Sequence, residues 1–292
     1  MTEAVVTQVS GALPAEAKRG PMFQYFSPML YPMFPKENGS LLLEADLQHM
    51  LKKCAADPNA DADITVKFDL YIDGEKKTLE EMNLKLRKGK IDPPHFVKEF
   101  TSNGIGYLEF MVSADRPLLK RPYVGDDYVL WFRKGKGAVS FGAEAKYALD
   151  RVIEQIKTYG QFCLLHTGAY VDPKRRAGNS IMFMNPYEQS IRCRLTSSLG
   201  RKLAVTVPKK CTRIVDLTPI LDEGKWDTVM ITANNRIPTY DLRHPTNEPC
   251  EAYSIDHLDT FSGYATHKSI GLIPYLRDKV RRWLRNAGIR YR

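Results

Sequence analysis

The stretch SIMFMNPYEQSIRCRLTSSLGRKLAVTVPKKCTRIVD, residues 180–216, contains several short strand patterns separated by turn residues. Apolar and polar residues alternate over residues 191–195 and again over 203–207, which is typical of strands with one buried face. Gly200 marks the turn between these two strands, and a proline ends the second. Short strands at this spacing predict an antiparallel β-sandwich.

The first half of the chain presents the same signals in the same order. The strand patterns at 40–43, 66–70, 84–86, 96–97 and 110–114 match those at 180–184, 191–195, 203–207, 214–216 and 229–233. Gly74 matches Gly200, and Tyr107 matches Trp226, so we expect both aromatic side chains to lie in a core. The offset between matching positions varies by loop lengths while the order holds. We therefore interpret the chain as a tandem duplication.

In two segments the apolar residues recur with a period of about 3.6 residues, which predicts amphipathic helices at 144–157 and 272–287. Each helix follows one set of strands. The predicted fold is therefore all-β with accessory helices: two tandem, related antiparallel β-sandwich domains, each closed by an α-helix. Residues 1–20 are expected to be a disordered N-terminal segment, 21–160 the first domain and 161–292 the second.

Three other segments refine this prediction. Residues 21–35 are rich in aromatic residues, Met and Pro, so we expect an extended segment along a sheet edge. The alternative for residues 21–35 is an arm that docks on a neighbouring subunit. Residues 162–173 are the counterpart of this segment in the second half. Residues 40–54 combine two patterns, which we interpret as a strand over 40–46 followed by a short helix.

The second half resembles the immunoglobulin-like modules common in bacterial proteins. The resemblance is carried by Asn185-Pro-Tyr-Glu, Val205-Thr-Val-Pro and Ile214-Val-Asp-Leu. These stretches follow the order of a strand, a polar hairpin, a strand ending in proline and a strand ending in Asp-Leu. The resemblance implies a sandwich architecture and transfers no functional residue.

The composition is that of an ordinary globular protein, with 43% hydrophobic and 26% charged residues among 292. No apolar run is long enough for a transmembrane helix, and the N-terminus lacks the features of a signal peptide. These features favour a cytoplasmic protein. The five cysteines are widely spaced and form no C-x-x-C pair, which argues against a zinc ribbon and for free thiols.

The net charge of +9 is concentrated at the C-terminus. Residues 277–292 contain one acid, Asp278, and these basic residues: Arg277, Lys279, Arg281, Arg282, Arg285, Arg290 and Arg292. A helix with one apolar and one basic face suits an anionic membrane surface, so we expect peripheral docking there. Further basic runs lie in the predicted hairpins, and coating of nucleic acid is the alternative.

A cluster of histidines and acids near the C-terminus is a candidate metal site. The possible ligands are His244, His257, Asp259 and His267, with Glu248 and Asp256 nearby. A His-x-Asp pair with two further histidines can bind a divalent metal on a β-scaffold. The spacing matches no strong ligand motif, and an exposed ion pair has the same appearance.

The sequence contains no motif of a serine hydrolase, zinc protease, P-loop or dinucleotide-binding enzyme. Cys163 and His166 would point to opposite faces of a strand, which counts against a nucleophile–base pair. We therefore expect a non-catalytic binding or assembly protein without a cofactor, which associates with itself or binds another protein or a glycan. The alternatives are a metal-dependent enzyme using His244, His257 and His267, and a nucleic-acid-coating protein.

Overall fold

A computed structural model describes residues 24, 28–120, 128–134, 137–142, 162–234, 237–258 and 280, with only the backbone at 128–134, 137–142, 162–163 and 257. The strands are β1 (Met29–Met33), β2 (Ser40–Asp46), β3 (Ala62–Ile72), β4 (Glu75–Arg87), β5 (Lys90–Asp92), β6 (His95–Phe100), β7 (Gly106–Ala114), β8 (Tyr128–Lys134), β9 (Gly137–Gly142), β10 (Phe162–Ala169), β11 (Ala177–Met184), β12 (Ile191–Ser197), β13 (Lys202–Val207), β14 (Thr212–Asp216), β15 (Asp227–Ala233), β16 (Thr239–Pro245) and β17 (Ser254–His257). The helix α1 (Leu47–Cys54) follows β2, and short 3-10 turns occur at Pro173–Arg175, Thr218–Ile220 and Pro249–Glu251.

The strands form four antiparallel sheets, which confirms a mostly-β, sandwich-like fold. Sheet 1 has the order β1-β7-β3-β4-β5, and sheet 2 has the order β6-β2-β8-β9. Sheet 3 has the order β10-β15-β12-β13, and sheet 4 has the order β14-β11-β16-β17. No helix in the part of the chain that the structure describes is long and apolar enough to cross a membrane.

The two halves of the chain have corresponding strand orders. Taking β10, β15, β12 and β13 in place of β1, β7, β3 and β4 converts the order of sheet 1 into that of sheet 3, apart from the short β5. Taking β14, β11, β16 and β17 in place of β6, β2, β8 and β9 converts sheet 2 into sheet 4. The strand patterns that match in the sequence thus occupy corresponding places in the sheets.

Side chains from the facing sheets build the core of each half. In the first half, Phe68 of β3 stacks on Phe110 of β7, with ring centroids 5.1 Å apart. Phe96 and Phe100 of β6 contact Phe68 from the opposite sheet, at 5.8 and 4.8 Å. Aromatic pairs of this kind add to the free energy of apolar burial, so the cluster fastens sheet 1 to sheet 2.

Several local predictions are confirmed. Residues 40–54 form β2 followed by α1, and the side chain of Asp46 caps the helix by accepting a hydrogen bond from His49 N at 2.8 Å. The segments 21–35 and 162–173 contain the edge strands β1 and β10.

The prediction that Trp226 lies in a core is wrong, because this side chain is 69% exposed. Tyr107 is fully buried within β7, whereas Trp226 lies in the loop before β15. The N-terminal segment 1–20 and the closing helices at 144–157 and 272–287 lie outside the described residues, apart from Val280.

At Tyr240 and Leu242, sheet 4 is covered on both of its faces. Asp241 of β16 lies 3.3 Å from His166 of β10, so it faces sheet 3. Side chains alternate along a strand, so Tyr240 and Leu242 face the other way, and both are fully buried. The Tyr240 hydroxyl donates to Leu30 O of β1 at 3.1 Å, which shows that the first half covers this second face.

Two further contacts join the first half of the chain to the second. Tyr107 Oη of β7 donates to Asn185 O at 3.4 Å. Lys210 Nζ lies 5.2 Å from the centroid of the Tyr71 ring, within the range of a cation–π contact. Sheet 1 and sheet 4 therefore share a buried boundary that combines apolar packing with hydrogen bonds.

Candidate binding cleft between the two halves

A cleft of about 580 Å³ lies where the first half no longer covers sheet 4. Its floor is formed by β11, β14 and β16, and Asp73 and Ile105 of the first half form part of its wall. The pairing of Gly178 with His244 and of Ser180 with Asp216 brings three strands to this floor. Directly paired residues share one face of a sheet, so the register places these side chains together.

Ser180 and His244 form a hydrogen-bonded pair on the floor of the cleft. Ser180 Oγ lies 2.8 Å from His244 Nε2, and His244 Nδ1 lies 2.8 Å from Pro245 O. A carbonyl oxygen can only accept, so Nδ1 carries the hydrogen. In the neutral ring Nε2 is then an acceptor, and the Ser180 hydroxyl donates to it.

Gly178 is required by the position of this imidazole. A Cβ atom added to Gly178 would lie 2.5 Å from His244 Cε1 and 2.7 Å from Nδ1. The ring therefore lies directly over the strand, where any larger residue would displace it. Because glycine has no side chain, it leaves the space that the His244 ring occupies beside Ser180.

Two threonine hydroxyls at the cleft are buried without a hydrogen-bond partner among the described residues. They are Thr212 Oγ1 and Thr246 Oγ1. Thr212 is only 5% exposed, so the cost of removing its hydroxyl from bulk water is not balanced by a protein partner. Each oxygen has almost no accessible surface, so it lies beneath the lining of the cleft.

Charged groups of both signs stand at the cleft. Arg213 NH1 and Asp73 Oδ1 are 4.0 Å apart, and their side chains are 45% and 82% exposed, so this pair is weak and leaves the guanidinium accessible. Asp216 Oδ1 is already engaged, because it accepts from Thr218 N at 3.0 Å and from Thr218 Oγ1 at 2.9 Å. The lining suits a ligand that is polar and close to neutral.

The residues predicted to bind metal are only partly located. His244 lies in the cleft, where both of its ring nitrogens have hydrogen-bond partners. The backbone of His257 pairs with Tyr240, four residues along β16 from His244, which corresponds to about 13 Å. Asp259 and His267 lie outside the described residues. Within the described ranges, no group of three His, Cys, Asp or Glu side chains is arranged to hold a metal ion.

The predicted anionic-surface residues Arg277, Lys279, Arg281, Arg282, Arg285, Arg290 and Arg292 also lie outside the described residues. Sequence reasoning missed Gly178, Ser180 and Thr212. The alternation over 178–184 places Gly178 and Ser180 on one face, but only the cross-strand pairing with β16 brings His244 to them.

Comparison with known proteins adds no family. No protein-family model matches the chain, and no curated protein matches it at a significant level.

Proposed function

We propose that the protein is a non-catalytic binding protein that takes a small, hydroxyl-bearing ligand in the cleft between its halves. The cleft, which has the exposed Arg213 guanidinium at its mouth, carries this proposal. A guanidinium at the rim of a concave site can donate hydrogen bonds to the hydroxyl oxygens of a small ligand.

The size and chemistry of the cleft support the same function. Its volume of about 580 Å³ lies in the range of small-molecule sites. Hydroxyl groups that both donate and accept, together with Arg213 at the mouth, suit a ligand with several hydroxyl groups. The two halves hold these groups on sheets, which makes the site rigid before a ligand arrives.

A thermal-shift screen with monosaccharides, polyols and hydroxy acids tests this function. We expect at least one compound to raise the melting temperature of the wild-type protein, and Arg213→Ala to remove the shift. Arg192→Ala is the matched control, because Arg192 is an exposed residue of β12 outside the cleft. A shift that survives in Arg213→Ala, or no shift with any compound, contradicts binding in this cleft.

The proposal includes a duplicated origin and self-association. The corresponding strand orders of the two halves are the arrangement that duplication of one sandwich unit, closed by a helix, would produce. Two similar faces on one body favour a pseudo-symmetric assembly. Light scattering of the purified protein should give a mass several times that of the 33.3 kDa chain, and a clean monomer contradicts the assembly.

Docking to an anionic surface through the basic residues of 277–292 is a further part of the proposal. Val280, which lies within the predicted helix at 272–287, is helical and 55% exposed, so its side chain is available to a membrane. Changing Arg281, Arg282 and Arg285 together to Glu should abolish co-sedimentation with phosphatidylserine vesicles. Vesicles of phosphatidylcholine alone are the control, and unchanged co-sedimentation of the triple variant contradicts docking.

The hydrogen-bonded pair of Ser180 and His244 favours a second candidate function, acyl transfer. A serine within reach of an imidazole that is itself oriented by a third group is the arrangement of an activated nucleophile. A fluorophosphonate probe distinguishes the two functions. Covalent labelling that is lost in Ser180→Ala and in His244→Ala would identify an enzyme. If the wild-type protein is not labelled, the result favours the non-catalytic binding function.

A further inference from the structure

Trp226 is a large apolar side chain held in a defined orientation at the surface. Its indole is 69% exposed. The Tyr170 ring stacks against it with the centroids 4.7 Å apart and the planes inclined by 32°. The Arg243 guanidinium carbon lies 5.6 Å from the indole centroid. A ring with so much exposed area in a fixed orientation is available for contact with a ligand.

A buried polar network within the second half fixes Arg243. Its Nε donates to Asp241 Oδ2 at 2.9 Å, and its NH2 group donates to Gly168 O. Asn179, which is fully buried, donates to Asp241 and to Leu242 O. Polar groups are costly in a sandwich core, and here they lead from the interior to the guanidinium that lies near an exposed indole.

The same network also positions the Tyr170 ring beside the indole. Asn179 Oδ1 accepts from Tyr170 N at 3.2 Å, and the Tyr170 hydroxyl donates to Asp172 Oδ2 at 3.1 Å. Gly224, two residues before Trp226, donates its backbone N–H to Val171 O at 2.8 Å. The loop that carries Trp226 is therefore pinned to the strand end that carries Tyr170, so the two rings keep their relative positions.

We infer that Trp226, Tyr170, Asp172 and Arg175 form a carbohydrate-binding subsite. One face of a pyranose ring presents C–H groups with a small positive charge, which complement the negative face of an indole. The hydroxyl groups at the rim of such a sugar would bond to the Arg175 guanidinium, whose Nε lies 3.5 Å from the Asp172 carboxylate that orients it. The Arg175 side chain is 81% exposed, so its guanidinium is accessible to a ligand.

The local charge favours a neutral sugar over a nucleic acid. Basic and acidic residues are balanced on the segments that carry the subsite. They are Asp172, Lys174 and Arg175 after Tyr170, Asp222, Glu223 and Lys225 before Trp226, and Arg243, which contacts the indole and pairs with Asp241 at 2.9 Å. Lys225 pairs with Asp222 at 3.5 Å, and Arg175 pairs with Asp172 at the same distance. A single-strand-binding surface combines aromatic rings with an excess of positive charge, and that excess is missing among these eight residues.

This subsite is separate from the cleft. Arg243 and His244 are neighbours on β16, so they point to opposite faces of sheet 4. The first supports Trp226 on the side of sheet 3, and the second lines the cleft on the side of the first half. Sugar binding at Trp226 therefore does not depend on ligand binding in the cleft.

Affinity electrophoresis in gels that contain a soluble polysaccharide tests the subsite. The gels contain hydroxyethylcellulose, xylan, galactomannan, β-1,3-glucan or glycogen, one in each gel. We expect at least one to retard the wild-type protein, and Trp226→Ala to weaken that interaction by about tenfold or more. Tyr253→Ala is the matched control, because Tyr253 is a 56% exposed aromatic residue of the same half, and its retardation should equal that of the wild type.

Two results would overturn the inference. One is a set of gels in which no polysaccharide retards the wild-type protein, or in which Trp226→Ala is retarded equally. The other is binding of a fluorescent dT oligonucleotide that is lost in Trp226→Ala, which would assign the rings to base stacking. Because Trp226 is exposed, the variant should melt within about 2 °C of the wild type, and this measurement excludes a folding defect.

Discussion

Replacing Thr212 by Val should stabilise the ligand-free protein. The Thr212 hydroxyl is buried, with the residue 5% exposed, and it has no hydrogen-bond partner among the described residues. An unsatisfied buried hydroxyl costs about 1–3 kcal/mol, and valine has nearly the same shape with a methyl group in its place. We therefore expect the free energy of unfolding to rise by about 1–2 kcal/mol.

Thr239 provides a matched control with the opposite sign. It also lies in sheet 4 and is 2% exposed, but its Oγ1 donates to Ile237 O at 2.9 Å. Thr239→Val removes a satisfied hydrogen bond and should lower the free energy of unfolding by about 1 kcal/mol. Urea denaturation of the wild type and both variants, followed by circular dichroism, measures the two changes in one experiment.

The sign of the change in the free energy of unfolding of Thr212→Val shows whether the Thr212 hydroxyl has a hydrogen-bond partner. If both variants lose stability by similar amounts, the Thr212 hydroxyl has a hydrogen-bond partner in solution. If Thr212→Val gains stability while Thr239→Val loses it, the Thr212 hydroxyl is unpaired in the folded protein.

Three other changes have defined outcomes. Gly178→Val should lower the free energy of unfolding by roughly 1–3 kcal/mol in a denaturation experiment, because its side chain would start 2.5 Å from His244 Cε1. Burial raises the pKa of the Cys193 thiol to about 12, so iodoacetamide at pH 8 should modify it only in denaturant, as read by peptide mass spectrometry. The hydrogen bond from Arg201 lowers the pKa of Asp222, so Arg201→Gln should raise that pKa in a carboxyl NMR titration.

Each of these three predictions would be contradicted by a specific result. Wild-type stability of Gly178→Val would mean that the imidazole is not packed on the strand. Modification of Cys193 at the same rate with and without denaturant would place its thiol at the surface. For Asp222, the lowered pKa means that its ion pair stabilises the fold above the pKa of the unfolded chain and loses this effect as the pH falls through the folded value. An unchanged pKa in Arg201→Gln would remove Arg201 as the cause.

The strands were predictable because their cause is local. In β12, Ile191, Cys193 and Leu195 are buried and alternate with exposed arginines, which is the pattern visible in the sequence. The change from β2 to α1 was also readable, since a helical period begins after Asp46. The location of Trp226 was predicted wrongly because the two halves were matched by the order of their strand patterns, which does not show where each strand begins. β15 begins one residue after Trp226, at Asp227.

The cleft was less predictable because its groups meet through cross-strand register. Ser180 and His244 are 64 residues apart in the chain, and only the pairing of β11 with β16 makes them neighbours. His244 stood out as a titratable residue, yet its partner Ser180 looked like an ordinary strand residue. Likewise, nothing local indicates that Thr212 lacks a partner, since that depends on how the first half covers sheet 4.

The hydrogen bond from Tyr240 to Leu30 O has a consequence for biosynthesis. All five residues of β1 are buried, although β1 is an edge strand, and the cover that reaches it includes a residue made some two hundred positions later. Ribosomes add about 5–20 residues per second, so about 10–40 seconds pass between the synthesis of Leu30 and that of Tyr240. A chain that stops before β16 lacks this hydrogen bond, which leaves Leu30 O of an edge strand open to pairing with strands of other chains.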